Sequence, residues 1–252
     1  MINYFEAAIQ VSTYQEVRNF GNTAVGFYSR IADPSNVILY IPGGVKPLGL
    51  STGTTLQPNG FTWRWLPLWL QRGTVMAIVD MPEEYQSATM PPGHRKTQER
   101  FDCICEIIAY IRQRYPTATV SGYGHSYGSI EMSRLCQESL LDSVVIGSGN
   151  WNPDPNPDAV DAHVWIGELD VDKIQTPLLI VHHINDETPK CNYNATKAYL
   201  NIIDGITVHG GMPHLGDPGL DPGPHFFHLQ ENEVVKNIMA WIRNKDYDKI
   251  IL

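Results

Sequence analysis

The stretch Val120-Ser121-Gly122-Tyr123-Gly124-His125-Ser126-Tyr127-Gly128-Ser129-Ile130 places a Gly-x-Ser-x-Gly pattern, Gly124 to Gly128, between apolar flanks. When a strand turns sharply into a helix at a serine, small residues two positions either side allow the backbone to close on itself. The hydroxyl then projects from the end of the strand, which makes Ser126 a candidate nucleophile. A loop that only turns the chain has a similar composition, so the flanks carry the decision. Ala118 to Tyr123 reads as a short buried strand, and Ser126 to Leu140 is apolar and helix-compatible enough to be the helix that follows.

The same alternation extends outward from this segment. Buried-strand runs are Val37-Ile38-Leu39-Tyr40-Ile41, Thr74 to Asp80, Ser143 to Gly147, Leu178 to His182 and Ile206 to His209. Ahead of them, Phe5 to Ser12 and Thr23 to Ile31 alternate polar and apolar residues, which predicts an antiparallel entry into the sheet. Lys96 to Tyr115 carries Phe101, Ile104, Cys105, Ile108 and Ile111 at helical spacing, and Pro116 ends it. Glu231 to Asn244 repeats the signature with Val234, Val235, Ile238, Met239, Trp241 and Ile242. Strands alternating with helices predict an α/β fold, a mostly parallel central sheet with helices on both faces and right-handed crossovers. Functional loops then gather at the carboxyl ends of the strands. Val45 to Gly60, Asn150 to Ala159 and Gly210 to Pro224 are rich in Gly, Pro, Asn or Asp and long enough to suggest a functional role. None reads as a linker and no repeat is present, so 1–252 is expected to be a single domain.

Composition excludes several classes. With 42% hydrophobic and 18% charged residues the chain is globular rather than disordered. A net charge of -9 without a Lys/Arg block argues against nucleic acid as a partner. No apolar run approaches the ~20 residues of a membrane span, and Met1 to Gln10 lacks a signal-peptide pattern. A soluble, cytoplasmic protein is the expectation, or a secreted one if a leader has been removed; oligomeric state is not legible. Four cysteines are too few for a disulfide scaffold. Cys103 and Cys105 point to opposite sides of a helix, and buried free thiols are expected, with Cys191 a small filler near the acid.

Acyl-transfer chemistry needs a nucleophile, a base, an acid that orients the base, and N–H donors for the developing oxyanion. The acid candidate is Asp186, delivered to a loop by the apolar run Leu178 to Val181, with Glu187 adjacent as a substitute. Two histidines compete as base: His225, after a long loop and just before the last helix, and His214, nearer its strand. The chain order Ser, Asp, His favours His225, and His228 is expected to pack beneath the loop. An unperturbed histidine titrates near ~6.5, so activity should fall on the acid side. For the oxyanion, the N–H of Tyr127 would pair with one from Ile41-Pro42-Gly43-Gly44-Val45, at Gly44 or at Val45. Of the aromatic group Phe61, Trp63, Trp65 and Trp69, Trp63 could line an acyl pocket with Val45 and His125, although such spacing more commonly packs a helix on a sheet.

Taken together, Pro42-Gly43-Gly44, Gly124-His125-Ser126-Tyr127-Gly128, Asp186 and His225 resemble the α/β-hydrolase superfamily in content and order, over almost the whole chain. His225-Phe226-Phe227-His228-Leu229, followed by an acidic stretch and a helix, looks like that family's catalytic histidine and closing helix. Leu48-Gly49-Leu50, Val181-His182-His183 and Gly216-Asp217-Pro218 are similar to small bacterial α/β-hydrolases of undefined substrate, in which the residue after the nucleophile is often Arg rather than Tyr127. The resemblance implies an α/β-hydrolase fold with little or no cap domain, and a serine hydrolase cleaving a carboxylic ester or related acyl bond of a small molecule. Ser126, Asp186 and His225 would be catalytic, with no cofactor. An acyltransferase using the same serine and a binding module on this fold are the alternatives. A metal hydrolase is a third, drawing on His182, His183, His209, His214, Asp217, Asp221, His225 and His228, but no metal-site spacing is present.

Overall fold

Runs of Val, Ile and Leu flanked by turn residues form the strands, and their alternation lets each strand bury side chains on both faces. The computed structural model describes residues 14–44, 47–50, 60–87, 90–153, 165–167, 169–211 and 223–252. Within them, β1 (Tyr14–Phe20), β2 (Thr23–Ser29), β3 (Asn36–Ile41), β4 (Thr74–Pro82) and β5 (Thr119–His125) join β6 (Ser143–Gly147), β7 (Leu178–His183), β8 (Asp204–Val208) and β9 (Ile250–Ile251). The sheet order is β1-β2-β4-β3-β5-β6-β7-β8-β9. The pairs β1/β2 and β2/β4 are antiparallel, and every other neighbour pair is parallel. Carboxyl ends of β3, β5, β7 and β8 therefore open on the same edge.

Helices cover both faces: α1 (Gly60–Leu70), α2 (Gln98–Arg114), α3 (Ser129–Leu135) and α4 (Glu231–Ile242). On β3, Val37, Leu39 and Ile41 meet Ile104, Ile107, Ile108 and Ile111 of α2 and Met132 and Leu135 of α3 in one core. Ile38 and Tyr40 face the other core, with Trp65 and Trp69 of α1 and Val234, Val235 and Ile238 of α4. Burying one such isoleucine stabilises by about 1.5–3 kcal/mol. Helix-propensity differences are ~0.7 kcal/mol per residue or less, so packing decides these elements.

Several boundaries differ from the sequence expectation, each for a local reason. The first strand of the antiparallel entry is Tyr14–Phe20, while Phe5 to Ser12 lies outside the described residues. The long helix begins at Gln98 because Thr97 caps it, its Oγ1 accepting from Arg100 N at 3.2 Å. Its buried face is Arg100, Ile104, Ile107, Ile108 and Ile111, with Phe101 and Cys105 only partly covered. The helix after Ser126 stops at Leu135 rather than Leu140: the Cys136 carbonyl is taken by Gln175 N and Thr176 N, both at 3.0 Å, and Ser139 turns left-handed. Of the four cysteines, Cys136 and Cys191 are buried, but Cys103 and Cys105 are half-buried.

Candidate active site

Strand β5 ends at His125, and Ser126 follows with φ of 50°. A non-glycine residue held there costs on the order of 1–3 kcal/mol and persists only where its surroundings impose it. A Cβ on Gly124 would strike the Gly128 carbonyl oxygen, and one on Gly128 would strike the carbonyl of Ile41. The turn is thus closed by direct backbone contact, as the two glycines suggested. Ser129 Oγ donates to the Ser126 carbonyl and accepts from Asn150 N at 3.0 Å. The parallel register places Ile41 opposite Gly124, so the loop after β3 meets the serine. A Cβ on Gly43 would lie 2.7 Å from Ser126 Cβ.

Beside this turn, His225 and Asp186 are brought together by two different chain segments. His225 Nδ1 lies 2.8 Å from Asp186 Oδ2, and both residues are buried. The His225 carbonyl accepts from Ser148 Oγ at 2.8 Å, which ties the histidine to the end of β6. Asp186 Oδ1 accepts from Thr188 N at 3.0 Å. A second imidazole shares the carboxylate: His182 Nε2 is 3.3 Å from Asp186 Oδ2 and 2.6 Å from the Cys191 carbonyl. Because a carbonyl only accepts, that nitrogen carries the proton; His182 Nδ1 pairs with Thr196 Oγ1 at 2.8 Å. Burial pushes the Asp186 carboxyl up, but the facing His225 and the hydrogen bonds from His182 and His225 outweigh it, holding the group well below its ordinary range.

Ser126 and Tyr127 border a cavity of about 230 Å³ that is completed by Asn150, Thr188, Pro189, Lys190 and Cys191. Cys191 Sγ lies 3.8 Å from Ser126 Oγ, and burial pushes its thiol far up, so it is held as a neutral wall atom. Tyr127 Oη accepts from Lys190 Nζ at 2.8 Å. A cation thus reaches the cavity although the residue after Ser126 is not Arg.

His125 is not among the lining residues. Its ring is buried beneath the turn, stacked on Phe226 at 5.4 Å between centroids and 5.0 Å from the His225 ring. Burial, then the neighbouring His225, pushes its pKa well below the ordinary value. Trp65 and Trp69 pack α1 against Tyr123 of β5. Gly44, in the loop after β3, sits at φ of 78°, and His228 pairs with Glu231. Val45, His214 and the side chain of Trp63 lie outside the described residues. Among those described, no three His, Cys, Asp or Glu residues converge as a metal site.

Other contributors escaped the sequence reading. His182 and His183 look alike in the sequence, yet the His182 ring meets the Asp186 carboxylate whereas the His183 ring pairs with the Gly210 carbonyl and Asn185 N. Asp80, at the end of β4, accepts from Leu48 N at 2.7 Å and Leu50 N at 2.8 Å and so shapes the chain after the diglycine. An apolar strand ending in a carboxylate was the available signal for Asp80, the same one that marked Asp186.

Sheet order, crossovers and the serine turn define the α/β-hydrolase fold, and solved structures agree. The chain is similar to a lidless α/β serine hydrolase from Xanthomonas campestris, at 14% identity and TM-score 0.59, covering 92% of this chain and 95% of that one. It is similar to a dienelactone hydrolase from Anabaena variabilis at 12% identity and TM-score 0.60, covering 92% and 97% of the two chains. An acylaminoacyl peptidase from Pyrococcus horikoshii matches at 14% identity and TM-score 0.64 over 94% of this chain and 43% of that one. No family model and no curated protein matches the sequence.

Proposed function

We propose that the protein is a serine hydrolase that cleaves a carboxylic ester, or a related acyl bond, of a small substrate through an acyl-enzyme on Ser126. The observation that carries this reading is the strained Ser126 turn at the end of β5, on the same edge as a His225–Asp186 pair at 2.8 Å. With Nδ1 donating to the carboxylate, His225 keeps Nε2 as the nitrogen that can accept a proton. It takes the Ser126 proton as Oγ attacks the acyl carbon, and Asp186, kept ionised, stabilises the imidazolium. The N–H of Tyr127 and one from the Gly44 loop meet the oxyanion. Collapse passes the proton from His225 to the leaving alcohol, and water repeats the cycle to release the acid. No step calls for a cofactor.

The dienelactone hydrolase and the acylaminoacyl peptidase among the similar structures support hydrolysis of an acyl bond as the reading for this chain. The cavity beside Ser126, at about 230 Å³, is smaller than the ~300–1,000 Å³ of a drug-sized pocket, which supports a short acyl group. Among the described residues no helix is long and apolar enough to cross a membrane. The test is labelling with a fluorophosphonate, followed by turnover of p-nitrophenyl esters of increasing chain length and of matching anilides. Expected are a single adduct on Ser126 and the highest kcat/KM for short esters. Labelling elsewhere, or turnover retained by Ser126→Ala, would overturn the reading.

A further inference from the structure

Behind the serine turn lies a buried charge cluster that the hydrolysis steps do not use. Arg95, on the single turn Pro92–Lys96 ahead of α2, is 4% exposed. Its Nη1 donates to Glu131 Oε2 at 2.7 Å, and Arg100 Nε donates to Glu131 Oε1 at 3.1 Å. Arg95 Nη2 donates to two backbone carbonyls, Pro42 at 3.2 Å and Gly44 at 3.0 Å. Removing three charges from water costs several kcal/mol per ion, and apolar side chains of similar volume commonly stabilise as well. Stability alone gives little reason for this arrangement.

Its geometry supplies one. Glu131 belongs to α3, the helix launched by the Ser126 turn, whereas Pro42 to Gly44 is the loop that packs against Ser126. Arg95 therefore ties the nucleophile's helix to the oxyanion loop. That loop contains a diglycine whose second member sits at φ of 78°, and glycine offers little steric resistance to a peptide flip. A flip would turn a carbonyl oxygen toward the place where an N–H is needed. In a trans peptide the C=O and N–H of one unit point in opposite directions. A guanidinium that captures the Pro42 and Gly44 carbonyls therefore turns the N–H joined to each of them away from itself.

We infer that Arg95 is a positioning residue: anchored by Glu131, it holds the carbonyls of Pro42 and Gly44 toward itself, so that N–H groups rather than carbonyl oxygens border the reacting acyl group. This rests on the serine-hydrolase reading, and three variants separate the two. Arg95→Ala should lower kcat by ~10²–10³-fold, the cost of losing an oxyanion donor, with KM within ~threefold. Methylguanidinium at millimolar concentration should restore at least ~tenfold of the loss, and an equal concentration of sodium chloride should not. Arg95→Lys keeps the buried charge but lacks the planar fork, so it should fold and remain impaired. Either folded variant with kcat within ~threefold of wild type, or recovery by salt equal to that by methylguanidinium, overturns the inference. If Arg95→Ala does not fold, kcat of Arg95→Lys decides alone. Ser126→Ala is the control: wild-type turnover that survives it removes the hydrolase reading and this inference together, whereas a dead Ser126→Ala beside an unimpaired Arg95 variant removes this inference only.

Discussion

Ser126 sits in a turn to which backbone contact leaves one conformation, while Asp186 and His225 arrive on separate loops and meet through a hydrogen bond between titratable groups. On the serine side, Gly124, Gly128 and Gly43 exclude any bulk that would let the turn relax. On the other side, Asp186 is held by His225, His182 and Thr188 N. Sterics are indifferent to pH, whereas a carboxylate between two imidazoles is not. Damage on the serine side should therefore appear in folding as well as chemistry, and damage on the acid–base side chiefly in chemistry and pH response.

The largest expected effect is that of Ser126→Ala, which should reduce ester kcat/KM by on the order of 10⁴–10⁶-fold if the proposed Ser126–His225–Asp186 triad acts as a unit. Steady-state assays with a mass-checked, contaminant-free preparation would measure it. Next come Asp186→Asn and His225→Ala, each expected to cost on the order of 10⁴-fold in kcat, while His214→Ala and His228→Ala stay within ~threefold. An inactive His214→Ala beside an active His225→Ala would reassign the base and leave the serine in place.

Gly128→Ala probes the steric side. Its added methyl meets the Ile41 carbonyl, so backbone must move, and a loss of at least ~2 kcal/mol is expected in urea unfolding. An unchanged urea midpoint would mean that the turn is softer than its packing indicates.

The smallest effect concerns pH. His125 is buried with its pKa pushed down, so below the ordinary value of ~6.5 the unfolded chain binds a proton that the folded chain refuses. Stability from this group is complete above that pH and declines as pH falls toward the folded pKa, by at most ~1.4 kcal/mol per pH unit. Asp186 acts lower: its depressed pKa stabilises above ~3.9 and that contribution is lost as pH falls through the folded value. Urea midpoints at pH 7 and 5 should therefore converge in His125→Asn relative to wild type, but not in Asp186→Asn. Equal convergence in both variants would erase the distinction.

The central strands were legible because their runs are apolar on both faces, as β3 and β6 show, and the Ser126 turn was legible because its glycines answer a local steric need. Strand β1 was not: Tyr14–Phe20 mixes Gln, Glu, Arg and Asn on an outer strand with little to bury. Two-residue β9 has no period to read. Helix α3 ended early because a carbonyl was captured from another segment, an event with no local signal. Among the site candidates, His125 was placed near the substrate by sequence adjacency, yet the strand ends at His125 with its ring packed on Phe226 and His225, while Ser126 leaves the strand at φ of 50°.

Local order along the chain determined the parallel sheet and the turn at Ser126, since sterics and period act between near neighbours. Only the tertiary structure decided that the Asp186 carboxylate is shared by the rings of His225 and His182, that Asp80 and Arg95 grip the loop after β3 by its N–H and carbonyl groups respectively, and that Cys191 walls the cavity. Except for His182 and Asp186, which are four residues apart, these contacts join residues tens of positions apart, and their existence depends on distances that no spacing in the sequence encodes.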